Sequence, residues 1–330
     1  MIEGILEDVA RIYPSKLIDD QLGDIPRIAF NIRLALNGAD PRAISVCDIG
    51  GGVGLFSVGC AALGMNALLV DDFADPISRR VGDSVFVVHK KYGVRVLSRN
   101  VITDGLADIS ERFDVVTTFE SMEHWHHSPK RLFRQVGDQL LKPGGRFVLS
   151  VPNCVNLRKR FSVPFGIGKW SSMEDWYEEA EFRGHVREPD VADLRYIARD
   201  MGLKDVQILG RNWLGYTSRS GFVRLGTWVA DRSLRLFPSL CKDLYMTGRS
   251  PRAHAGTNAL HGRHSAKRNG NDDRADFRWR ENPVAKRIQM RGSERGYNSF
   301  NAADELCSCA LTNQDRQQLD VCPPIEVHAV

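Results

Sequence analysis

Residues 43–55 read Ala43-Ile44-Ser45-Val46-Cys47-Asp48-Ile49-Gly50-Gly51-Gly52-Val53-Gly54-Leu55, and this stretch decides the fold. Ala43–Asp48 is an apolar run of strand length. Glycine then occupies positions 50, 51, 52 and 54, which reads as a turn. Leu55–Leu63 has helical character, with Gly64 as its C-cap. Strand, glycine turn and helix in succession open a βα unit. Glycine lets such a turn take left-handed dihedrals and lets a ligand approach backbone that a Cβ would obstruct. The following helix N-terminus directs N–H groups at a negative group such as a carboxylate.

Working outward, the alternation continues. Ala67–Val70 is a second strand, ending in Asp71-Asp72. Val94–Leu97 is a third, Phe113–Phe119 a fourth and Arg146–Val151 a fifth, the last stopped by Pro152-Asn153. A helix over Pro129–Leu141 closes on Lys142-Pro143-Gly144-Gly145. Asp190–Met201 is a helix and Val206–Leu209 a further strand. Strands separated by helices predict a doubly wound, mostly parallel α/β sheet. Runs such as FDVVTTF suit strands covered on both faces. Upstream, residues 1–40 read as a helical lead-in, with Asp24 as N-cap and Pro26 in a first turn. Residues 154–190 break the rhythm and read as a cap inserted over the site. The amphipathic residues 221–240 read as a core or cap helix rather than a membrane-surface one. Beyond residue 252 periodic apolar positions vanish, so a domain over 1–252 and a disordered tail over 253–330 are predicted.

Composition narrows the class. The chain has 330 residues, 42% of them hydrophobic, enough for a real core. A net charge of +4 leaves no global nucleic-acid footprint, and nucleic acid is disfavoured as a partner. Charge is uneven, however: residues 251–300 carry 11 Lys/Arg against 5 Asp/Glu. Seven scattered cysteines without a CxxC pair argue against zinc ligation and for a reducing compartment. With no secretory leader and no membrane-length apolar run, a cytoplasmic protein is predicted. Peripheral membrane contact stays open, as does the oligomeric state.

Two kinds of nucleotide cofactor use such a loop. A dinucleotide site needs G-x-G-x-x-G, but from Gly50 and Gly52 the third position is Leu55. The chain offers instead Asp48 followed by Gly50-x-Gly52-x-Gly54, which resembles motif I of the class I S-adenosylmethionine-dependent methyltransferases. Three further blocks carry the resemblance: FDVVTTFESMEHWHHSPKRLF, LLKPGGRFVLSVPN and GHVREPDVADLRYIARDMGL. It covers roughly residues 20–250 and implies a seven-stranded Rossmann-like sheet. It also implies S-adenosylmethionine as cofactor and a small-molecule, glycan or lipid-linked acceptor. O-methylation is the favoured reaction; an RNA methyltransferase and a non-catalytic binding protein of the same fold are the alternatives.

Site residues follow from position. Asp71, past the second strand, can accept hydrogen bonds from two ribose hydroxyls. Asn100 and the Val101 N–H supply an acceptor and a donor for adenine; related sequences more often carry Asp where Asn100 stands. Glu120, just past the fourth strand, is placed to line the cofactor pocket. An oxygen nucleophile needs a base, and imidazole has the suitable pKa. His124 is the first candidate, oriented by Glu123, and His185 the second. Arg187 or the Arg158–Arg160 cluster can meet a phosphate or carboxylate on the acceptor. Neighbouring His126 and His127 would need an unusual loop to converge, so no metal is predicted.

Overall fold

The computed structural model describes residues 1–251 except 169, 170, 172, 179–181, 214, 217 and 219. The expected tail over 253–330 and Trp170 of the expected cap lie outside the described residues. The elements in order are α1 (Ile2–Ala10), α2 (Ser15–Leu36), β1 (Ser45–Ile49), α3 (Leu55–Ala62) and β2 (Asn66–Asp71). Then come α4 (Pro76–Val81), α5 (Ser84–Tyr92), β3 (Arg95–Ser98), β4 (Phe113–Phe119), α6 (Lys130–Gln135) and β5 (Leu141–Pro152). The chain continues through α7 (Leu157–Ser162), α8 (Met173–Glu178), α9 (Val191–Asp200), β6 (Lys204–Arg211), α10 (Gly221–Leu234) and β7 (Asp243–Arg249).

The seven strands form one sheet in the order β3-β2-β1-β4-β5-β7-β6. All pairings are parallel except those of β7 with β5 and β6. Each face of the sheet carries its own buried cluster. On one side Leu6, Leu17 and Ile32 pack with Val58 and Leu69. On the other Leu132, Phe133, Leu140 and Leu194 pack with Ile49, Phe113 and Phe147. The sheet is therefore covered on both faces, as the continuous apolar strands require. The strand order reverses between β1 and β4, and ligands of such sheets sit beyond the carboxyl ends of strands at that point.

Several local expectations change. Asp24 does not cap a helix: α2 runs from Ser15 with Pro26 inside it, and Asp24 pairs with Arg27 at 2.7 Å. The helix after β4 ends as one π turn, Val136–Leu140. β5 begins at Leu141, before the Pro-Gly-Gly turn; its register with β4 shifts there and resumes at Val115↔Arg146. The strand β7 goes unread in the sequence, because Asp243–Arg249 is short and mixed in polarity. Its pairing between β5 and β6 comes from topology, not from local pattern. α10 is not a core helix: Asp231 is its one fully buried residue. Among the described residues no helix is long and apolar enough to cross a membrane.

Candidate active site

The carboxyl ends of β1, β2 and β4 converge on the glycine loop. Asp48, in β1, is buried; its carboxylate accepts from Ser57 Oγ at 2.8 Å and Thr117 Oγ1 at 2.9 Å. Burial raises its pKa to about 6, against the opposing pull of those two hydroxyls. It thus braces the turn rather than facing solvent. A Cβ on Gly50 would land against Ser121, and one on Gly54 would sit 2.7 Å from His89 Nε2. At Gly52, where φ is +55°, a Cβ would meet no protein atom within 4 Å. Gly54 is therefore required by packing, whereas Gly52 borders open space.

That space is a cavity of about 250 Å³ lined by residues 50–56, Asp48, Phe119 and Glu120, and closed by α2 through Gln21, Asp24, Arg27, Ile28 and Asn31. Within this wall Gln21 Oε1 and both amide atoms of Asn31 are buried with no protein partner. Buried polar atoms without partners are costly, and here they border a cavity. An open glycine cradle and unsatisfied amides fit a polar nucleoside cofactor. The α2 wall is the part of the site that sequence reasoning missed; its only signal was the interruption of the apolar face by Gln21 and Asn31.

Asp71 stands at the end of β2. Its carboxylate accepts from the Gly52 N–H at 2.8 Å and the Phe73 N–H at 2.6 Å, and burial raises its pKa to about 6. It ties the second strand to the loop. Asn100 takes part in a turn: its Oδ1 accepts from the Ile102 and Thr103 N–H groups. Its Nδ2 donates to Asp72 at 3.2 Å. A carboxylate in place of that amide would face Asp72 with like charge, which gives a physical reason for Asn at this position. Val101 beside it is buried. Glu120 takes a left-handed φ of 49°, rare for a residue with a Cβ. Two bonds to Ser150 hold it: its N–H donates to the Ser150 carbonyl and its Oε1 accepts from Ser150 Oγ at 2.7 Å.

The histidines lie just beyond. His124 Nδ1 is 2.7 Å from the Arg183 carbonyl, so Nδ1 carries the proton and Nε2 keeps its lone pair. Burial lowers the His124 pKa, favouring neutral imidazole. Arg183, not Glu123, therefore orients the ring. Glu123 is buried with Oε2 unpartnered, and desolvation holds its carboxyl well above the usual range. Its backbone carbonyl accepts from Val186 at 2.7 Å, docking the end of the inserted segment onto the loop after β4. The His185 ring meets that of His124 edge to face at 4.9 Å. His185 Nδ1 donates to Glu188 at 2.8 Å, and Glu188 also pairs with Lys159. This carboxylate–imidazole pair was invisible in the sequence, where Glu188 was one loop acid among several. Glu123, His124 and His185 bring potential ligand atoms within 4.8 Å of one another. His126 instead bonds the Phe182 carbonyl. Arg187 pairs with Asp193 at 3.6 Å, and Arg160 bonds backbone carbonyls.

A family profile described as "Methyltransferase domain" matches residues 23–208. Ubiquinone biosynthesis O-methyltransferases of Rhizobium johnstonii and Rhizobium etli are each 32% identical to the chain, over 113 and 123 residues. These alignments cover 34% and 35% of this chain and 42% and 46% of the relatives, so the chain spans less than half of their length. Among solved structures, magnesium protoporphyrin IX methyltransferase of Synechocystis PCC 6803 with bound SAH is 14% identical, with a TM-score of 0.45. That match covers 74% of this chain and 92% of that one. Since the matched profile spans more than half of the residues, the chain belongs to the methyltransferase-domain family.

Proposed function

We propose that the unit over residues 1–252 methylates a hydroxyl of an apolar small molecule or lipid-linked acceptor from the cytoplasm, with His124 as general base. One observation carries this: His124 Nδ1 lies 2.7 Å from the Arg183 carbonyl, which only accepts, and burial lowers the pKa of the ring, four residues past Glu120 of the cofactor cavity. Bound S-adenosylmethionine supplies an electrophilic methyl group. Asp48, the loop glycines and Asp71 shape its site, and α2 covers it. Gln21 and Asn31 offer the polar atoms its charged amino-acid end requires, with the Arg27–Asp24 ion pair beside them. His124 Nε2 takes the acceptor's proton, and a base in this position is worth about 10²- to 10⁴-fold in rate. His185, held by Glu188, packs against His124 and fixes its ring plane. The hydroxyl acceptors of the ubiquinone-pathway relatives agree with this reading.

The experiment is calorimetric titration with S-adenosylmethionine, followed by labelled methyl transfer to a panel of hydroxylated aromatic and lipid acceptors. His124→Ala is expected to bind cofactor like wild type and to lose at least about 100-fold in kcat. Transfer undiminished in that variant would remove His124 from the role.

A further inference from the structure

The helix α10 is built inside out. In a soluble amphipathic helix the apolar stripe faces the body and the charges face water. Here the buried residue is an acid. Asp231 accepts from the Asn212 N–H at 2.8 Å and the Tyr216 hydroxyl at 2.7 Å, and pairs with Arg211 and Arg235. The opposite face carries Phe222, Leu225 and Val229 at positions i, i+3 and i+7, with Trp228 at its margin. Phe222 is 87% exposed, Leu225 59% and Val229 49%. Arg232 lies over the Trp228 ring, 4.2 Å from its centroid. Just past the helix Leu236 and Phe237 are exposed as well.

A second apolar segment adjoins this one. Phe161 and, in the turn after α7, Phe165 and Ile167 are exposed. The two segments meet where Arg160 bonds the backbone carbonyl of Ser239, two residues beyond Phe237. Charge on them is one-sided. Residues 155–168 hold no acid; they carry Arg158 beside Lys159, which pairs with Glu188, and Arg160, which bonds backbone carbonyls. Residues 220–242 hold Arg224, Arg232, Arg235 and Lys242, with the buried Asp231 as their one acid.

We propose that α10 and the α7 turn form a docking surface for an anionic lipid bilayer. Phenylalanine, leucine and tryptophan on an outward face with arginines alongside is the pattern of helices that lie in the headgroup region. The surplus of arginine and lysine complements anionic headgroups. A second copy of the chain is the poorer occupant, because a two-fold contact of this patch with itself would set arginines against arginines. This surface lies outside the cofactor cavity and is independent of the identity of the acceptor.

The test is flotation of the full chain with vesicles of phosphatidylcholine alone or mixed with phosphatidylglycerol, at low and high salt. Binding to the mixed vesicles is expected to be at least about tenfold stronger and to weaken with salt. Phe222→Ser with Leu225→Ser should reduce it by about tenfold or more while leaving cofactor affinity unchanged. Arg158→Gln with Arg232→Gln should reduce the preference for phosphatidylglycerol. Failure of wild type to float with mixed vesicles at low salt would overturn the proposal. So would serine variants that bind as wild type, or a wild-type dimer that stays off vesicles and that the serine variants dissociate. Cofactor titration, read separately, reports on the active site whichever way flotation falls.

Discussion

Consider Gly52→Ala. The native φ at this position is +55°, and an alanine there costs about 1–2 kcal/mol. The new methyl meets no protein atom within 4 Å, so packing adds nothing to that figure. Its N–H survives, and with it the 2.8 Å bond to Asp71. For a domain of this size the melting temperature should fall by about 2–8 °C. The methyl does enter the cavity, and forcing an extra carbon into a filled site costs about 1–3 kcal/mol. Affinity for S-adenosylmethionine should therefore drop by about five- to hundredfold. Gly54→Ala is the control: its Cβ would lie 2.7 Å from His89 Nε2 and 2.8 Å from Leu69. That variant should lose more stability than Gly52→Ala. The assay is calorimetry beside thermal melting on both proteins. Gly52→Ala with wild-type cofactor affinity would refute the claim that its open side is where the cofactor lies.

Other expectations follow from the electrostatics. Burial raises the Asp48 pKa from 3.8 to about 6, so the folded form keeps a proton that the unfolded chain has released. Stability should thus decline as pH rises from about 4 to 6 and level off above, by about 3 kcal/mol for this group. Denaturant titrations should show that slope and Asp48→Asn should flatten it; an unchanged slope would remove Asp48 as its source. Asn100→Asp places a second carboxylate against Asp72 and should lower stability by about 0.5–1 kcal/mol, recovered in the double variant with Asp72→Asn, by thermal melting. Glu188→Gln weakens the brace on His185; its kcat should fall well short of the loss in His124→Ala, and equal losses would make His185 the base.

The sheet was legible because its strands are short apolar runs separated by helical periods, with glycine marking the βα turn. The glycine turn was legible because Gly50-x-Gly52-x-Gly54 lies between a strand and a helix and takes left-handed dihedrals that glycine favours. What escaped depends on distance in sequence. Gln21 and Asn31 lie on a helix that precedes the first strand and reach the cavity only once α2 folds across it. Glu188 meets His185 locally, but the pair gains meaning only beside His124, about sixty residues earlier. β7 carries little strand signature and is recruited by two neighbours. For α10, read as a core or cap helix, the core reading failed: periodicity reports that a helix has two faces, not which one turns inward.

Glu120 sits in a conformation its side chain resists, kept there by a pair of bonds to Ser150. Ser150 lies in β5 and is in register with Tyr245 of β7. The wall of the cavity is therefore clamped to the antiparallel edge of the sheet. Damage to β7 should reach the ligand without touching it: a loosened Tyr245 frees Ser150, and Glu120 relaxes toward ordinary dihedrals. Remote lesions there would behave like binding-site lesions, and screens for lost cofactor affinity would collect them together.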